Sequence, residues 1–188
     1  EPPPPPQALV NQILGLAQVA RREGLLRMER GMDVDGFLAQ GLRLVVDGVD
    51  RDTIQTALTQ ELGATQERQQ ESQEIFRFVA LSAPSFGMVG TLIGMVQLFA
   101  SLKDPSALGG ALALSLLSTL YGAVIAYLVA IPMAGKLEVR GRQELLLKRI
   151  MLAGALGIEA RLHPSALTVQ LRAFLGPSAA EPERRGHG

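Results

Sequence analysis

Between Phe78 and Leu102 the chain carries no Asp, Glu, Lys, Arg or His, and after Lys103-Asp104 it carries none again until Lys136. Each run exceeds the roughly 20 apolar residues that cross a bilayer core. The pattern predicts two membrane-spanning helices, about 79–102 and 108–134, joined by a short turn. On either side of them apolar residues recur at helical spacing with charges interleaved. Leu9, Val10, Ile13, Leu14, Leu16, Ala17, Val19 and Ala20 predict an amphipathic helix from Gln7 to Met28, extending to Arg30. Gly31 ends it, and Asp33 or Asp35 caps a second helix carrying Phe37, Leu38, Leu42, Val45 and Val46 on one side. A turn at Val49 to Asp52, with Asp50 or Asp52 as cap, opens a long helix near Thr53. That helix is polar almost all round from Gln66 to Glu74 and enters the membrane at Arg77. Beyond the second span, Leu137, Leu145, Leu146, Ile150 and Leu152 continue the helix, and His163-Pro164 breaks it. Leu167, Leu171, Phe174 and Leu175 predict one last short helix, and the residues after about 177 read as disordered.

The fold class is thus all-α: an integral membrane protein with two transmembrane helices and cytoplasmic helical segments. Its expected organisation is a cytoplasmic segment 1–77, a two-span segment 78–135 and a cytoplasmic tail 136–188. Orientation follows from the cations, because Arg77 precedes the first span and Lys136, Arg140, Arg142, Lys148 and Arg149 follow the second. Only Lys103, beside Asp104, lies in the intervening turn. The overall composition, 47% hydrophobic with a formal net charge of zero, resembles that of a soluble domain, so it is the segregation of charge that decides the class.

Small residues line both spans. The first holds Ala83, Gly87, Gly90, Thr91 and Gly94; the second has stripes Ala111, Ser115, Thr119, Ala123 and Ser118, Gly122, Ala126, Ala130. Between helices in lipid, close approach through small residues is the usual basis of association. Pro84 and Pro132 each remove one helical donor, which reads as a kink.

Candidate chemistry is sparse. The absence of cysteine excludes disulfides and thiolate metal sites. His163 has no acidic or histidine neighbour at ligand spacing, and Gly87 to Thr91 lacks the lysine of a phosphate loop. No metal, cofactor, nucleic-acid partner or enzymatic activity is expected. At membrane depth the chain offers only neutral polar groups: Ser82, Ser85, Thr91, Gln97, Ser115, Ser118, Thr119, Tyr121 and Tyr127. Proteins that move charge normally place an ionisable group there. Any carboxylate for ion transport must therefore come from another polypeptide. A purely structural membrane adaptor with no ion flux is the plain alternative.

The run Ala83-Pro84-Ser85-Phe86-Gly87-Met88-Val89-Gly90-Thr91-Leu92-Ile93-Gly94 resembles the third transmembrane helix of the MotA/PomA family of flagellar stator proteins, part of the MotA/TolQ/ExbB superfamily. The likeness continues through Lys103-Asp104-Pro105, Leu108-Gly109, Leu117 to Gly122 and Ile131 to Leu137. Upstream, Ala20 to Glu29 and Leu44 to Gly48 are similar to the family's cytoplasmic loop. The family has four transmembrane helices, and this chain matches the part that follows the second. The first residue is Glu1, not Met, and the expectation is a fragment lacking the first two spans.

The resemblance implies a stator subunit of the bacterial flagellar motor in the inner membrane, at the flagellar basal body. A ring of five such subunits would surround a single-span MotB/PomB-like partner whose aspartate binds the coupling ion, H+ or Na+. Thr91 and Thr119 map onto the ion pathway, and Pro84 and Pro132 onto prolines that shape the channel and couple ion binding to motion. Arg21 and Glu29 map onto loop residues that engage a FliG-like rotor protein. An ExbB- or TolQ-like energising subunit is the alternative within the superfamily.

Overall fold

The computed structural model describes residues 4–30, 34 and 36–176, with the backbone alone for 29 and 30. Among the described residues the secondary structure is entirely helical. The expected end of the first helix at Gly31, the caps Asp33 and Asp35, and the tail after 177 lie outside the described residues.

Helix α1 (Pro6–Glu23) starts with proline at its first position and buries Leu9, Val10 and Ile13. Arg21 and Arg22 in its last turn complement the partial negative charge of the helix terminus. The single helix expected through Met28 is in fact two. Gly24, at φ 91°, ends α1 in a conformation that a Cβ disfavours, and α2 (Leu25–Arg30) starts afresh. Helix α3 (Gly36–Val46) buries Phe37, Leu38, Leu42 and Val45. It closes over Gly48, at φ 72°, with the Val49 N–H donating to Leu44 O.

Asp50 caps α4 (Arg51–Ala100): its carboxylate accepts from the Thr53 N–H at 2.9 Å, and this bond holds the carboxyl below its usual range. Asp104 does the same for α5 (Pro105–Ala123), accepting from Ser106 Oγ and the Ser106 N–H; its carboxyl is lowered by those bonds in that order. The helix continues through a seven-residue π-helical segment (Val124–Ala130) into α6 (Ile131–Glu159). It stops before the expected break, with Arg161 at φ 49° and the Leu162 N–H donating to Gly157 O. His163 caps α7 (Pro164–Arg172), and a 3-10 turn (Ala173–Leu175) follows.

The helices divide into two compact units, one of residues 1–66 with 142–188, the other of residues 67–141. In the first, segments far apart in the chain share a core: Leu9, Ile13, Met28, Leu38, Leu42, Ile54, Leu58, Ile150, Leu167 and Leu171 are all almost fully buried. Gly41 permits a close approach of three segments, since a Cβ there would lie 3.1 Å from Leu58 and 3.2 Å from Ala155. Lys148 ties three helices together inside this unit. Its ammonium donates to Thr65 Oγ1 at 2.8 Å, lies 3.7 Å from Glu144 and 4.0 Å from Glu61, and sits 5.2 Å from the Phe37 ring centre.

The second unit has the opposite character. Phe78, Leu81, Phe86, Leu116 and Leu128 are each at least 65% exposed. The most apolar stretch of α4 has a mean hydropathy of 1.7 and that of Pro105–Glu159 reaches 2.0, yet only 11% and 22% of these stretches are buried. A soluble core helix of such hydropathy would be covered. Apolar side chains left outward along two long helices are stable only in a hydrocarbon solvent or against other helices.

Candidate functional site

The second unit is closed by glycine. Gly87, Gly90 and Gly94 of α4 face Ser118, Ser115 and Gly122 of α5 so tightly that added methyl groups would collide. A Cβ on Gly122 would lie 2.6 Å from Ala83 O, and one on Gly87 would lie 2.9 Å from Ser118 O. With no hydrophobic drive between helices in lipid, this backbone approach supplies the dispersion contact that holds them together.

The same approach brings the two candidate threonines together. Thr91 Oγ1 lies 2.5 Å from Thr119 Oγ1, 3.2 Å from Ser115 O and 3.1 Å from Gly87 O. Thr119 Oγ1 is also 3.4 Å from Ser115 O. Ser115, 5% exposed, donates from Oγ toward Ala111 O at 3.1 Å and Thr91 O at 3.3 Å, so it pins the two helices from behind. Each hydroxyl has one proton and two lone pairs. Two threonine protons serve several acceptors here, and lone pairs remain over. Thr91 is half-buried and Thr119 exposed, so these oxygens open at the edge of the helix pair. Chemically the arrangement is a neutral cluster of hydroxyl and carbonyl oxygens, the donor type that hard cations prefer. It holds no countercharge of its own.

Pro84 sits within α4 one residue after Ala83, whose carbonyl meets Gly122. Pro132 lies two residues beyond the end of the π-helical segment, and the Ile131 N–H between them bonds five residues back to Ala126 O. A simple kink was the expectation; the backbone instead takes a wider register over seven residues. Arg21 is exposed in the last turn of α1 and lines a cavity of about 390 Å³ with Gly24, Leu25, Gly157 and Arg161. Glu29 lies on α2 by its backbone, and its side chain falls outside the described residues. The break at Gly24 separates it from Arg21, so the two do not share the face of one continuous helix.

Two features went unread in the sequence. Ser115 is legible only as one hydroxyl of a small-residue stripe; that it faces Gly94 and Thr91 depends on the rotation of α4, which the sequence does not show. The π-helical segment has no sequence signature beyond the proline that follows it.

Two exposed apolar helices, joined by a glycine seam with a neutral oxygen cluster at its edge, define an integral membrane helical protein. Residues 32–149 match the model of the MotA/TolQ/ExbB proton channel family. The chain belongs to this family. It is 36% identical over 170 residues to chemotaxis protein PomA of Vibrio alginolyticus, which covers 90% of this chain and 67% of that protein. It is 40% identical over 172 residues to motility protein A of Borreliella burgdorferi, covering 90% and 66%. The fold is similar to that in the structure of the flagellar MotAB stator complex from Bacillus subtilis, with a TM-score of 0.83, 30% identity, and 93% of this chain and 69% of that one covered. A C. jejuni MotAB structure shares the fold at a TM-score of 0.85 and 22% identity. The chain thus spans about two thirds of the length of these relatives.

Proposed function

We propose that this chain is the ion-conducting, torque-generating stator subunit of a bacterial flagellar motor, working by coupled transport and not by bond-making chemistry. The observation that carries the reading is the Thr91–Thr119 pair, a neutral oxygen site open at the edge of two membrane helices. Without a charge it cannot retain a cation in a low-dielectric surrounding. A carboxylate brought against that edge by a single-span MotB-like partner completes it. The relatives named PomA and motility protein A, and the MotAB complexes of the same fold, support that partner and assembly into an oligomer.

In this reading five copies form a ring in the inner membrane at the flagellar basal body. The coupling ion, H+ or Na+, passes the two threonines to and from the partner's carboxylate. Pro132 and the π-helical segment before it supply the compliant length of helix through which ion occupancy changes the shape of α6. Arg21 and Glu29 meet a FliG-like rotor protein. One charge crossing 100 mV releases about 2.3 kcal/mol, so a large mechanical step needs several ions. The test is complementation. In a motile bacterium stripped of its own stators, the full-length protein with its single-span partner restores swimming, and neither does so alone. Assembled complexes in cells that stay paralysed would contradict the reading.

A further inference from the structure

Glu67, Glu71 and Glu74 follow one another along α4 at i, i+4 and i+7, and all three are exposed. On α6, Lys136 and Arg140 are exposed four residues apart. None of the five has a hydrogen-bond or ion-pair partner among the described residues. An acidic row and a basic row thus stand unpaired within one compact unit.

Their directions follow from the contacts between α4 and α6. Arg77 Nη2 lies 3.3 Å from Glu138 Oε2, and a Cβ on Gly141 would meet Gln69 Oε1 at 2.7 Å and Gln73 Nε2 at 3.6 Å. Gln69, Gln73 and Arg77 therefore mark the side of α4 that faces α6. At about 100° per residue, Glu67, Glu71 and Glu74 point roughly 100–160° away from Gln73. The same arithmetic, taken from the midline between Glu138 and Gly141, turns Lys136 and Arg140 about 130–170° away from α4. The two rows look outward from opposite sides of the helix pair. The contacts also fix their height. The helices run antiparallel, so pairing Arg77 with Glu138, and Gln73 with Gly141, sets Arg140 level with Glu74 and Lys136 about one turn further along α4, level with Phe78 and Val79.

Cyclic symmetry about an axis along the membrane normal rotates copies without raising or lowering them. Groups level within one chain are level between neighbours, and a heterologous contact that closes makes a ring. We propose that Glu71 and Glu74 on the α4 row of one copy dock on Lys136 and Arg140 of the next, a head-to-tail seam of ion pairs beside the spans. The inference rests on the ring assembly proposed above and names the side chains that set its register. Exposed ion pairs add little stability singly, but they reject like-charged juxtapositions and so specify which faces meet.

The experiment uses the full-length protein with its single-span partner, with any other cysteine replaced. Glu74→Cys and Arg140→Cys in the same chain, treated with a short bismaleimide, give a ladder of linked copies on a denaturing gel. Either cysteine alone gives none, and two chains carrying one cysteine each give only dimers. Glu74→Lys or Arg140→Glu singly lowers recovery of the assembled complex several-fold, and the two together restore it. A ring of normal native mass with neither ladder nor restoration overturns the seam and leaves the stator reading standing. A native mass of one copy overturns both.

Discussion

Thr91 on α4 and Thr119 on α5 place their hydroxyl oxygens 2.5 Å apart, across a seam that only glycine makes narrow enough. The relation is physical before it is functional. Two hydroxyls at that distance share one proton, and their remaining lone pairs, with Ser115 O alongside, form an oxygen cluster. Its opening at the exposed edge of the pair is what makes it available to a partner helix.

The seam itself is testable. Gly122→Leu places a side chain where a Cβ alone would lie 2.6 Å from Ala83 O. Overpacking of this kind costs about 1–3 kcal/mol and forces the helices apart. The expected outcome is reduced membrane-inserted protein and faster proteolysis. Gly109→Ala and Gly110→Ala, where nothing lies within 4 Å, should leave both unchanged. Equal effects at all three positions would contradict a close-packed seam.

Pro132→Ala returns a backbone N–H next to the π-helical segment and favours the ordinary helical register. Rotation of tethered cells should slow markedly while the complex purifies at normal yield. Unchanged rotation would remove Pro132 from the coupling machinery.

Arg21→Glu reverses the charge of an exposed side chain in the last turn of α1, where a cation is also favoured by the helix terminus. The helix effect is small, about 0.3–1 kcal/mol, and leaves the buried core of Leu9, Val10 and Ile13 intact. Motility on soft agar should fall while assembly persists, and a compensating charge reversal on the rotor protein should recover it. Normal spreading would argue against a rotor contact at Arg21.

Much of this architecture could be read from the chain. The two uncharged runs announced the spans because lipid tolerates so little charge, and the helix break expected at His163-Pro164 falls where α6 has ended and α7 begins. The small-residue stripe holding Ser115 and Thr119 pointed to a helix interface, though not to which glycine meets which hydroxyl. That depends on the rotation of α4 about its axis, which periodicity leaves open. Gly24 was passed over because isolated glycines are often tolerated in helices, and only its φ of 91° shows the break. Lys148 looked like one more flanking cation. Its burial against Phe37, Glu61 and Thr65 comes from tertiary packing of segments more than 80 residues apart.

The central claim is that the coupling ion passes the paired threonine oxygens. The measurement that tests it most directly is tethered-cell rotation speed for Thr119→Val and Thr119→Ser in the full-length protein, with recovery of the complex measured alongside. Valine keeps the shape and removes the oxygen; the lost interaction, about 1–3 kcal/mol, corresponds to a drop of about fivefold or more. Serine keeps the oxygen and should rotate near the normal speed. A valine variant that assembles and rotates as fast as the unaltered motor would contradict the account.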